Sequence, residues 1–143
     1  QTNGAGQFQG GLLFRSWFKR SAAGGSANAS GSTTSNAAIE IGTTFRVPFV
    51  CFADDLLVTS SQGYSGLNNN SETDAWMAID GATVAPALKT NYGGPLTSFV
   101  GATYTALWTG SLADGLHTAT LFGNAGVGGT ASFAGTTQVA MAR

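Results

Sequence analysis

The 143-residue chain is short of charge. Only 9 % of its residues are Asp, Glu, Lys or Arg, against about 25 % in an ordinary soluble domain. The net charge is −1, so there is no broad basic surface of the kind that holds nucleic acid. Arg15, Lys19 and Arg20 form the one small basic group, and a solvated strand edge accounts for them. Cysteine and histidine occur once each, as Cys51 and His117. A single thiol closes no internal disulfide, and one Cys with one His falls short of the four-ligand set of structural zinc. Glu, Lys and Gln, which extend helices, are scarce. No apolar run approaches the ~20 residues that span a bilayer as a helix. These absences exclude a nucleic-acid partner, a disulfide scaffold, a closed zinc site and a membrane-spanning helix.

What is present points to sheet. There are 21 glycines, nine Phe and three Trp, and aromatics reach 10 %. Thr, Val and Phe fit a pleated surface, and the apolar mass suffices to fold. A chain of this length is one ordinary domain.

Alternation of period two marks the strands. "GGLLFRSWFKR" sets Leu12, Phe14, Ser16 and Phe18 against Arg15, Trp17 and Lys19, an N-terminal strand or arm within residues 1–20. Residues 21–36, rich in Ser, Gly and Ala, have no apolar period and read as a flexible loop. "AIEIGTTFRVPFVCF" alternates Phe45, Val47, Phe49 and Cys51, and Pro48, lacking a ladder donor, marks an edge or a bulge. "DDLLVTS" is a short strand and "SQGYSGLNNNSETD" a second irregular loop. "AWMAIDGA" is a strand that ends in a turn at Asp80-Gly81. The segment after it, with Pro86, Gly93, Gly94 and Pro95, is a long excursion. "FVGATYTALWTG" is the cleanest strand, with Ala102, Tyr104, Ala106 and Trp108 on one side. Another strand runs from His117 to Phe122, and a glycine turn "GNAGVGG" leads to a last one, kinked at Gly135. No window sustains a 3.6-residue period. Seven to nine short strands with glycine-rich turns describe a sandwich or barrel.

Chemistry-bearing residues are few. His117 shares a strand face with Ala119 and Leu121, so it reads as an inward residue whose ring bonds a loop carbonyl. A catalytic base needs a nucleophile and an orienting acid beside it. The chain has no "GxSxG", and Cys51 sits in an apolar strand that blunts its thiol. Asn68, Asn70, Glu72 and Asp74 alternate oxygen-bearing side chains as calcium loops do. That string lacks a glycine pivot, and turn chemistry alone produces such runs, so no metal or other cofactor is expected. The acids Glu40, Asp54, Asp55, Glu72, Asp74, Asp80 and Asp114 mostly fall at turns or strand ends, and sequence sets no two of them at a glycosidase spacing. Asn28 and Asn69 head formal glycosylation triplets in loops where Asn and Ser abound.

From Ala75 to Ala142, roughly half the chain, a strand, "DG", a long excursion, a strand and "LxxGxHT" follow in order, on Asp80, Gly81, Leu112, Gly115, His117 and Thr118. This order resembles the jelly-roll β-sandwiches of bacteriophage virion surface proteins, both capsid decoration (cement) subunits and fibre-tip heads. It is also similar to galactose-binding-like carbohydrate modules. The resemblance implies that "LxxGxH" holds a corner between two strands and that subunits assemble as oligomers, usually trimers.

The resulting expectation is an all-β protein, an antiparallel jelly-roll β-sandwich with long glycine/serine-rich loops, forming one domain over residues 1–143. It is a non-enzymatic structural subunit on a virion surface, whose partners are copies of itself and other virion proteins. Trp76, Met77 and Ile79, in a strand apolar on both faces, are the expected interface. The alternatives are a carbohydrate- or receptor-binding module using Tyr64, Asn68, Asn69, Asn70 and Tyr92 on a cell-surface glycan, or an extracellular fibre subunit that donates its N-terminal strand.

Overall fold

The computed structural model describes residues 23–68, 72–84, 88–91 and 100–142. The strands are β1 (Ala23–Thr33), β2 (Ile39–Glu40), β3 (Val47–Cys51), β4 (Leu56–Asn68), β5 (Glu72–Ile79), β6 (Ala82–Thr83), β7 (Leu88–Asn91), β8 (Val100–Gly110), β9 (Gly115–Gly123) and β10 (Thr130–Ala142). A single 3-10 turn, Thr43–Phe45, is the only helical element among the described residues.

They form two antiparallel sheets packed as a sandwich. One sheet has the order β1-β10-β4-β8. The other runs β2-β9-β5-β6, with β3 also on β9 and β7 also on β5. The pairing is nested: β1 pairs with β10, β3 with β9, β4 with β8, and β5 with β6 and β7. A long antiparallel ribbon rolled onto itself gives this order, which is the jelly roll. As Pro48 implied, β3 is an edge strand that among the described residues pairs only with β9, and Pro48 faces outward on it. Asp80 (φ 51) and Gly81 (φ 81) are both left-handed and form the tight turn from β5 to β6, as a two-residue hairpin requires.

The apolar core lies between the sheets in two clusters. Phe45, Tyr104, Leu121 and Phe133 fill one end, and Phe49, Leu57, Met77, Ile79 and Met141 the other. Between them the four-stranded sheet turns small and hydroxylic side chains inward. Thr59, Ser61 and Thr137 are fully buried, and the Thr137 hydroxyl donates to the Ser61 hydroxyl at 3.2 Å. In the next row Ala29, Gly135, Gly63 and Tyr104 lie in register across the four strands. A Cβ on Gly63 would stand 2.1 Å from the Ala134 carbonyl oxygen, and one on Gly135 2.2 Å from that of Gln62. The paired glycines let β4 and β10 approach closely, and the Tyr104 phenol reaches over them and meets Phe133 edge-on.

Two sequence expectations need correction. Residues 23–33, read as flexible loop, form the edge strand β1, paired with β10 over its whole length. Its inward residues are Gly25, Ala27, Ala29, Gly31 and Thr33, too small to register as an apolar stripe. Small size is required there: a Cβ on Gly31 would fall 2.5 Å from the Ile41 carbonyl oxygen. Residues 61–68, read as irregular loop, are the second half of β4. The register of β10 on β4 runs through Gly135 without a break.

Candidate functional site

His117 stands at a corner where three connections meet. Its ring is mostly buried on β9, tilted against Phe49 with centroids 5.8 Å apart. Nδ1 lies 2.6 Å from Asp80 Oδ2 and Nε2 lies 3.0 Å from the Ala113 carbonyl oxygen. Both nitrogens therefore face acceptors, and only the imidazolium, which donates from both, satisfies both. Burial alone would lower the His117 pKa. The Asp80 hydrogen bond, the Ala113 carbonyl and the Asp80 charge outweigh it and raise the pKa above its ordinary value. Asp80 is itself fixed: Oδ1 accepts from the Thr118 N–H at 2.8 Å, and its own N–H donates to the Thr118 carbonyl at 2.9 Å. Asp114 accepts from the Ala53 N–H at 2.6 Å, tying the β8–β9 connection to the β3–β4 connection.

Cys51 abuts the same corner. It is fully buried, and its thiol donates to the Ala113 carbonyl at 3.5 Å. Burial pushes its pKa up, and the charges of Asp55, Asp114 and Asp80 push it further. The thiol and the imidazole thus share an acceptor, and the geometry ties loops together.

The charged side chains are segregated. Glu40, Arg46, Asp54, Asp55, Asp74, Asp80 and Asp114 belong to the six-stranded sheet or to connections. Arg46 grips Glu40 through Nε at 2.6 Å and Nη2 at 2.7 Å. That grip holds the Glu40 carboxyl below its usual pKa; partial burial opposes it, and the Arg46 charge and the Thr120 hydroxyl reinforce it. By contrast β1, β4, β8 and β10, of 11, 13, 11 and 13 residues, hold no Asp, Glu, Lys, Arg or His. The outer face of this sheet carries Leu56, Val58, Tyr64 and Leu107, all exposed, among Ser, Thr, Asn, Gln, Ala and Gly.

A groove of 530 Å³ opens on this face, lined by Ser30, Ser32, Tyr64, Gly66, Ser132 and Ala134 with Gly31 and Phe133. The register explains it. Ser30, Ala134 and Tyr64 form one cross-strand row, and Ser32, Ser132 and Gly66 the next. Small residues on β1 and β10 leave a trough, and the Tyr64 ring walls one side.

Of the residues expected to bind carbohydrate, Tyr64 lies in this groove. Asn68 ends β4, and Asn69, Asn70 and Tyr92 lie outside the described residues, as does the arm over residues 1–20. Of the residues expected at an interface, Met77 and Ile79 point into the core between the sheets. Trp76 sits half-buried on the opposite face of β5, in register with Phe122. Asp74 belongs to β5, and its Oδ2 accepts from the Asn124 amide at 3.2 Å. Sequence reasoning missed Ser30, Ser32, Ser132 and Leu107; the uninterrupted absence of charge over β1, β4, β8 and β10 was the signal that could have found them.

The class these features define is an all-β, two-sheet antiparallel sandwich with one charge-free sheet. No protein-family model matches the chain, and no curated protein matches it.

Proposed function

We propose that the protein is a non-enzymatic structural subunit that associates with copies of itself, as subunits of phage-like virion surfaces do. The observation that supports this reading is the 48-residue sheet without a charged side chain. A soluble domain usually has about 25 % charged residues. Long edge strands are usually blunted by charge, proline or a bulge. Among the described residues β1 and β8 are the edges of this sheet, 11 residues each, and neither strand holds a charge, a proline or a bulge. A sheet built this way is suited to being covered. Light scattering behind size exclusion tests the reading at two protein concentrations. A stable multiple of 14.4 kDa is the expected result, and a monomer at both concentrations refutes it.

One observation favours a second reading, binding of a neutral carbohydrate. Tyr64 offers an exposed ring beside the hydroxyls of Ser30, Ser32 and Ser132 in one groove, the mixture of aromatic wall and sparse polar groups that fixes a small ligand. On that reading Tyr64→Ala abolishes retention on neutral glycans and leaves the molar mass unchanged.

A further inference from the structure

Building on the self-association reading, we infer that copies pack through the outer face of the β1-β10-β4-β8 sheet, and not through the strand that holds Trp76, Met77 and Ile79. Three observations carry this. First, the exposed large apolar side chains concentrate there. Of the seven in the described residues, Leu56, Val58, Tyr64 and Leu107 lie on this one face, whereas Met77 and Ile79 are consumed by the core. Edge-to-edge pairing of β1 or β8 would leave those four in water; face packing removes them from it.

Second, the size fits. Four strands about 4.8 Å apart and about eleven residues long at roughly 3.3 Å each give a footprint of about 700 Å². A standard stable interface buries about 800 Å² per partner.

Third, the face is chemically compatible with a copy of itself. Having no charge, it desolvates none and brings no like charges together on association. Its hydroxyl and amide side chains can donate or accept. Interfaces concentrate their energy on aromatic anchors seated in pockets. Tyr64 is the exposed aromatic of this face, and the groove beside it supplies the socket for the ring of the facing copy.

The test compares wild type with Leu107→Lys and Leu116→Lys, a control exposed on the other sheet. Molar mass is read by light scattering, with circular dichroism as the check on folding. The expected result is that Leu107→Lys falls to the protomer mass while Leu116→Lys keeps the wild-type mass. A multimeric wild type whose Leu107→Lys variant stays multimeric overturns the face and leaves self-association standing. A monomeric wild type overturns both. Thr105→Cys guards against misfolding of the lysine variant, since Thr105 is exposed on the same face. In the multimer a bulky maleimide is expected to label it at least tenfold more slowly than Leu116→Cys; equal rates overturn the proposal.

Discussion

Replacing Gly135 with alanine tests how closely β10 and β4 approach each other. The new Cβ would lie 2.2 Å from the Gln62 carbonyl oxygen, 2.8 Å from Gly63 Cα and 2.8 Å from the Tyr104 hydroxyl. Even a close carbon–oxygen contact between strands is about 3.3 Å, so the strands must part by roughly 1 Å. β10 is central, held by β1 on one side and β4 on the other, and two of the three obstructing atoms are backbone. Overpacking costs about 1–3 kcal/mol, and a clash with backbone belongs at the upper end. At roughly 2–4 °C per kcal/mol for a domain near this size, the melting temperature falls by roughly 6–12 °C. Gly42→Ala is the matched control. Its φ of 169° is open to any residue, and its Cβ would meet only Thr44 Oγ1, at 3.7 Å. That substitution restricts the unfolded chain and is expected to add about 0.4–1 kcal/mol. Thermal melts at one fixed protein concentration make the comparison, because association shifts the midpoint by mass action. The same chemical change then moves stability in opposite directions at two sites. A Gly135→Ala protein melting within about 1 °C of wild type would refute the close approach, a shift far below the cost expected from overpacking.

Two further outcomes concern the corner. The folded pKa of His117 is raised, so its contribution to stability is complete below the unfolded value of about 6.5 and is lost as pH rises through the folded value. Melting temperatures measured across that window should decline with pH in wild type, and His117→Asn should flatten the decline; an unchanged profile would show that the ring does not bind its proton more tightly when folded. Cys51 is fully buried, with its thiol pKa pushed up first by burial and then by nearby acids. Alkylation by iodoacetamide should therefore be slow in the native protein and rise with denaturant along the unfolding curve, and rapid native alkylation would contradict its burial.

The sandwich was legible wherever inward residues are large. Tyr104 and Ala106 on β8, and Val139 and Met141 on β10, announce their face by alternation. The turn at Asp80-Gly81 and the His117 contact to a loop carbonyl followed from local chemistry. The second half of β4 did not, because its inward positions are Ser61, Gly63 and Ser65. Ser61 and Ser65 are buried and Gly63 is half-buried, but all three are too small or too polar to register as an apolar stripe. β1 was hidden for the same reason. Asp80 as the partner of His117, 37 residues away, depends on the β5–β9 pairing, which no local pattern encodes. The groove is a cross-strand property of three strands from distant parts of the chain, so Tyr64 could be named from sequence while its serine neighbours could not.

The division of charge between the sheets has a consequence for the surroundings the protein tolerates. The sheet of β1, β4, β8 and β10 carries no carboxyl, imidazole, thiol or amine side chain. Acid and salt therefore have little purchase on it, because they act through ionised groups and their screening. The other sheet holds Glu40 and His117, and the connections beside it hold Arg46 and Asp80, so a change of medium is felt there first. A change of pH or ionic strength would therefore loosen the Asp80–His117 corner of the protomer before it disturbed the sheet of β1, β4, β8 and β10.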